Sequence, residues 1–124
     1  MYKEFLVIFL GGGVGSCLRY VLSSWLNPLA SFLPWGTLSA NVLACFILGM
    51  TAYFFQHRFF QSELLRLFIM VGVCGGFSTF STFSSELWSF WKNEQWTSLF
   101  AYMLVSLLLC HLFLLLGMFV AKIL

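Results

Sequence analysis

Residues 72–86 read GVCGGFSTFSTFSSE, inside one of the most apolar parts of the chain. From Cys74 to Glu86 the run holds two adjacent glycines, six hydroxyl residues and three phenylalanines spaced three apart. Glycine is entropically poor in a helix, and Ser and Thr hydroxyls compete for backbone hydrogen bonds. The run therefore predicts a break in a helix at Gly75-Gly76, with Ser78 or Thr79 capping the segment that follows. Interrupted backbone at membrane depth is tolerated only where protein or a wet cavity satisfies it. A helix start there would present free N–H groups and a positive dipole end, and the carbonyls of the preceding turn would suit a hard cation. Transporters use such interruptions as ion sites. A packing kink, with the hydroxyls bonded back to the helix, is the alternative, and both stay open on this stretch alone.

The chain around the run says what solvent it lives in. Of 124 residues 61% are hydrophobic and 8% charged, whereas a soluble domain carries roughly 25% charged residues. Lipid is the expected surroundings. A bilayer core takes about 20 apolar residues per helix, so the length fits four spans, expected at about 5–25, 37–55, 64–91 and 96–120, in a single domain covering 1–124. Pro28 and Pro34 mark the first loop, QHRFFQSE the second, and KNEQ a tight polar turn. Trp25, Trp35, Trp91 and Trp96 lie near the expected span ends, where indoles favour the interface. The first span is followed by no A-x-A-like site, so it reads as a span and not a cleaved signal.

Four spans put both termini on one side, with Lys3, Arg58, Arg66 and Lys122; Arg19 and Lys92 belong to the other. So small a Lys/Arg bias orients a chain weakly. Insertion one way, or both ways as an antiparallel homodimer, are equally compatible with it. Cys17, Cys45, Cys74 and Cys110 all fall within spans, with no C-x-x-C pair and no zinc spacing. They read as small packing residues. GGGVGS, residues 11–16, lacks the Lys of a phosphate loop; Gly11 and Gly15 stand in the register that lets helices approach closely.

Polar features recur in the other spans. Asn41, about one turn into the second, can donate two hydrogen bonds or bind a neighbouring helix. Ser98, Tyr102, Ser106 and Cys110 recur every fourth residue along the fourth, one stripe in a leucine-rich helix. Glu86 is the only carboxylate well inside any span. Aromatic rings carry a negative face and a positive edge; Phe80 and Phe83, a turn apart, either present edges to a small anion, present faces that favour a cation, or simply pack.

Together, GGGVGSCLRY, GTLSANVLACFILG and above all GVCGGFSTFSTFSSE resemble the Fluc family of small fluoride channels, over nearly the whole chain. The resemblance implies an all-α, four-span membrane protein with its third helix broken mid-membrane, assembled as a dual-topology antiparallel homodimer in the cell inner membrane. It implies passive fluoride export and fluoride resistance through two pores. It assigns Phe80 and Phe83 to ring edges lining the pathway and Asn41 to a donor for the ion. Ser81, Thr82 and Ser84 fall in the polar run beyond them, and Tyr102 and Ser106 on the fourth-helix face. Arg19 falls at the vestibule, and the carbonyls of Gly75 and Thr79 at a central structural sodium. Its implied partners are lipid, fluoride and a second copy of itself, with no nucleic acid or nucleotide. Cys110 departs from the polar residue expected there. No Lys or Arg sits at the centre of a span, where it would hold an anion too tightly for conduction. A drug–proton antiporter needs a deep carboxylate in its first helix, and this chain has only Glu4 at the edge. An intramembrane serine enzyme is disfavoured by the lack of a G-x-S-x-G elbow.

Overall fold

The computed structural model describes residues 1–29, 32–57, 59 and 61–124; Arg58, counted above among the orienting charges, lies outside the described residues. Among the described residues four long helices carry the chain: α1 (Tyr2–Leu26), α2 (Trp35–Gln56), α3 (Glu63–Lys92) and α4 (Trp96–Ile123). Each is long and apolar enough to cross a membrane, and no strand occurs among the described residues. Their outward faces are apolar: Phe5 and Phe9 on α1 and Leu104, Leu108, Leu112 and Leu115 on α4 are exposed. Apolar surface on this scale fits a lipid solvent. Trp25, Trp35, Trp91 and Trp96 stand exposed at helix ends, and Trp91 meets Trp96 edge-on at 4.9 Å across the turn after α3.

Helix α2 is the most enclosed, burying Gly36, Thr37, Leu38, Ala40, Val42, Ala44, Gly49 and Thr51. It packs along α4, while α1 packs along the first part of α3. Glycines set both seams. A Cβ on Gly15 would fall on the Val73 carbonyl oxygen, and one on Gly11 would come 2.5 Å from the Phe68 oxygen. On the other seam, Gly49 meets the Leu114 carbonyl and Gly117 that of Phe46. Such close backbone approach replaces the hydrophobic drive that lipid removes between helices.

The third span is not broken at Gly75-Gly76 as expected: both glycines are helical, and the span stays one element bent by 15°, with its regularity lapsing at two other places. Leu67–Val73 is a π-helical stretch, a rare geometry, and it contains Gly72, which packs against Gly11 of α1. Further on, Ser78 (ψ 153°) and Thr79 (φ −150°, ψ 116°) leave helical conformation between Cys74–Phe77 and Phe80–Lys92. The Thr79 hydroxyl then accepts from Thr82 N, capping the segment that follows. Ser78, the other expected cap, donates its hydroxyl back to the Cys74 carbonyl at 2.9 Å.

Candidate functional site

Two extended residues inside a membrane-depth helix strand its backbone groups, and the structure shows where these go. The Thr79 N–H donates to Asn41 Oδ1 at 2.7 Å, and Asn41 Nδ2 donates to the Thr79 carbonyl at 3.3 Å. One amide thus holds both backbone groups of Thr79 from the neighbouring α2. Arg19, from α1, donates its Nε to the Gly76 carbonyl at 3.1 Å. The Gly75 carbonyl loses the N–H that a continuing helix would supply, because that N–H belongs to Thr79 and goes to Asn41. Gly75 is exposed, with open space where a Cβ would stand.

Beside this interruption lies a cavity of about 230 Å³, lined among others by Asn41, Thr79, Phe80, Phe83, Ser106 and Cys110. Ser106 is 6% exposed, and its hydroxyl oxygen has no hydrogen-bond partner. A buried hydroxyl without a partner costs about 1–3 kcal/mol. The Phe80 and Phe83 rings lie 5.7 Å apart and tilted by 46°. Phe80 is 79% exposed on the chain's outer face. Phe83 packs on Tyr102 at 4.9 Å.

Tyr102 is fully buried and does not line the cavity. Its hydroxyl donates to Glu86 Oε2 at 2.6 Å, and Thr37 donates to Glu86 Oε1 at 2.6 Å. Both carboxylate oxygens are therefore engaged, by helices α2 and α4. Ser81, Thr82 and Ser84 do not line the cavity either. Ser81 and Ser84 are exposed on the outer face of α3, Ser81 within 3.2 Å of the Thr79 hydroxyl, and Thr82 accepts from that same hydroxyl at 3.1 Å.

The structure also joins what the sequence left separate. Thr37 and Tyr102 meet at Glu86, Asn41 and Ser106 share the cavity, Cys45 and Cys110 line it as well, and Gly49 presses on Leu114. Each pair lies one turn beyond the last on two helices running in the same direction. The polar stripe of α4 thus has a counterpart on α2, formed by Thr37, Asn41 and Cys45. Its four-residue spacing is present in the sequence, and would have been found by aligning the two spans.

These features define a multi-pass membrane protein with a polar seam, a helix interruption satisfied by side chains, and a small partly polar cavity beside it. The chain belongs to the family described as CrcB-like protein, Camphor Resistance (CrcB), whose family model matches residues 6–118. It is 40% identical to a protein of Phocaeicola vulgatus named fluoride-specific ion channel FluC, over 97% of this chain and 99% of that one. To a protein of the same name from Magnetococcus marinus it is 41% identical, over 93% and 94% of the two chains. A third so named, from Hahella chejuensis, is 39% identical over 83% and 82%. The family is one of ion channels, not of enzymes.

Proposed function

We propose that the chain is a fluoride-selective channel that lets fluoride leave the cytoplasm passively and so confers fluoride resistance. The observation that carries this reading is the buried, unpartnered Ser106 hydroxyl in a cavity shared with Asn41, Phe80 and Phe83. Fluoride is small and strongly hydrated, so a pathway has to replace water with donors. Ser106 has its O–H free, and Asn41 keeps a second N–H beyond the one given to Thr79. The edges of Phe80 and Phe83 add positive potential without a charge that would trap the ion. Beyond them Ser81, Thr82 and Ser84 continue the polar surface of α3, and Tyr102 steers Glu86. Arg19 draws anions toward the α1 side.

One copy leaves this surface half built. Phe80 and Trp88, with the hydroxyl residues Ser81, Ser84 and Ser85, stand exposed on α3. Hydroxyls facing acyl chains would lack partners. A second copy covers them, and the weak charge bias allows it to insert in the opposite sense. The reading is thus of an antiparallel, dual-topology homodimer in the cell inner membrane, each four-span chain contributing to two pathways. The Gly75 carbonyl, deprived of its helix partner, and the Thr79 carbonyl, which has a second lone pair beyond the one given to Asn41, fit a hard cation. With the same groups from the second copy they would hold a structural sodium, neutralising converging oxygens at the third-helix break. Among the described residues no cluster of three or more His, Cys, Asp and Glu side chains is placed to hold a metal, so this site would rest on backbone oxygens.

The test is efflux from liposomes holding the purified protein, followed with a fluoride electrode. Fluoride flux with little chloride flux is expected. Equal flux of the two ions, or none of either, overturns the reading.

A further inference from the structure

Below Asn41 and Ser106 the seam between α2 and α4 carries a chemically different rung, Cys45 and Cys110. Both residues line the cavity of about 230 Å³, and their side chains are neighbours across the seam. One turn further, Gly49 lies against the Leu114 carbonyl. That contact holds the two helices at a separation where side chains as short as cysteine meet. Both cysteines are free. His111, adjacent in sequence, points its Nδ1 to the Leu107 carbonyl at 2.9 Å, which commits that nitrogen to its own helix.

We propose that Cys45 and Cys110 form a two-coordinate site for a soft monovalent metal cation of the cuprous or silver type, whose occupancy obstructs the cavity. Zinc requires four ligands in a structural site, and no group of three or more His, Cys, Asp and Glu is available among the described residues. Soft cations that bind thiolate and accept two donors in a line fit what is present. Charge also selects the monovalent ion. One thiol gives its proton to water in the cavity and the cation takes its place, so thiol, thiol and metal cation yield a neutral thiolate–metal–thiol unit and one proton. Loss of the second proton would leave a net negative charge away from water, which is costly. The bound metal takes up part of the cavity that Ser106, Phe80 and Phe83 also line, one turn from the hydroxyl.

The probe is silver nitrate added to the full-length protein carrying Cys17→Ala and Cys74→Ala, which removes the two other thiols. Mass spectrometry of the intact protein should count about one silver per chain, and X-ray absorption should show two sulfur neighbours. Adding Cys45→Ser or Cys110→Ser, which keep the side-chain shape, should weaken binding by about tenfold or more. Excess free thiol should strip the metal. Silver retained at full affinity in either serine variant, or held by a single sulfur, overturns the site. If the background variant does not fold, the wild-type protein and the Cys45→Ser/Cys110→Ser double variant are compared instead, and an equal silver count in both overturns it. In liposomes, silver should lower fluoride flux and free thiol should restore it; unchanged flux at full silver occupancy overturns the obstruction. The silver count does not depend on the fluoride reading, so absent fluoride flux in metal-free protein would count against that reading alone.

Discussion

Ser106 separates structural from functional roles at the scale of one residue. A buried hydroxyl that serves only packing is better removed, since its loss relieves an unmet hydrogen bond. Ser106→Ala should therefore leave the melting temperature in detergent unchanged or higher, by up to about 1 kcal/mol in stability, while lowering fluoride flux. Flux equal to the parent would show that the hydroxyl does not meet the ion. Phe80 allows the same separation for the rings. It is 79% exposed on the single chain, so Phe80→Ile removes little intrachain packing but takes away the polarised ring edge. Strongly reduced flux from a variant that still elutes as a dimer is expected. Unaltered flux would leave the ring as an interface contact only. The Glu86 carboxylate shows a third kind of role. It accepts from Thr37 and Tyr102 at 2.6 Å each, tying together three helices that each look apolar alone.

At the scale of the element, the glycine seams decide how the helices meet. A Cβ at Gly15 would fall on the Val73 carbonyl, whereas at Gly13, two residues earlier, it would meet nothing within 4 Å. Gly15→Ala should destabilise the protein by about 1–3 kcal/mol, the usual effect of overpacking. Gly13→Ala should be neutral or slightly stabilising, because alanine is the better helix former. The two are compared by thermal unfolding in the same detergent. Equal melting points would mean that α1 does not rest on α3 through this seam. The same seam presses on the π-helical stretch and fixes the approach to the interruption at Ser78-Thr79, where Asn41 from α2 and Arg19 from α1 satisfy the stranded backbone groups.

At the scale of the whole molecule, the proposed sodium site depends on the proposed dimer, since the site needs carbonyls from both copies. On the proposed reading, a second copy inserted the other way would cover the exposed hydroxyl face of α3. Single cysteines placed in the KNEQ turn after α3, in a background lacking the native ones, should react with a membrane-impermeant maleimide from both faces of the bilayer. Reaction from one face only would rule out dual topology. If the Gly75 and Thr79 carbonyls of two copies converge on sodium, protein prepared without sodium should lose fluoride flux, and adding the ion back should restore it saturably. Flux and dimer stability unaffected by thorough sodium removal would leave water between the carbonyls.

Lipid as solvent and four spans were legible in the sequence, whereas the break expected at Gly75-Gly76 was misplaced: those glycines are helical, and Ser78 and Thr79 leave helical conformation instead. The legible features depend on composition and on residues adjacent along the chain, such as an apolar run too long for a soluble core. The α4 stripe was legible for the same reason. Which polar groups meet was not. Ser81 and Ser84 stand beside Thr82 and Phe83 in the sequence yet face outward, while Thr37 and Tyr102, far apart in the chain, both bind Glu86. In a soluble helix the apolar stripe shows which side turns inward. In lipid the outward face is as apolar as the inward one, so periodicity leaves helix rotation undetermined. Rotation and register are set by backbone-to-backbone contact at Gly11, Gly15, Gly49 and Gly117. That contact exists only once the helices have packed, and so the tertiary structure alone brought Cys45 to Cys110 and left Ser106 facing a cavity.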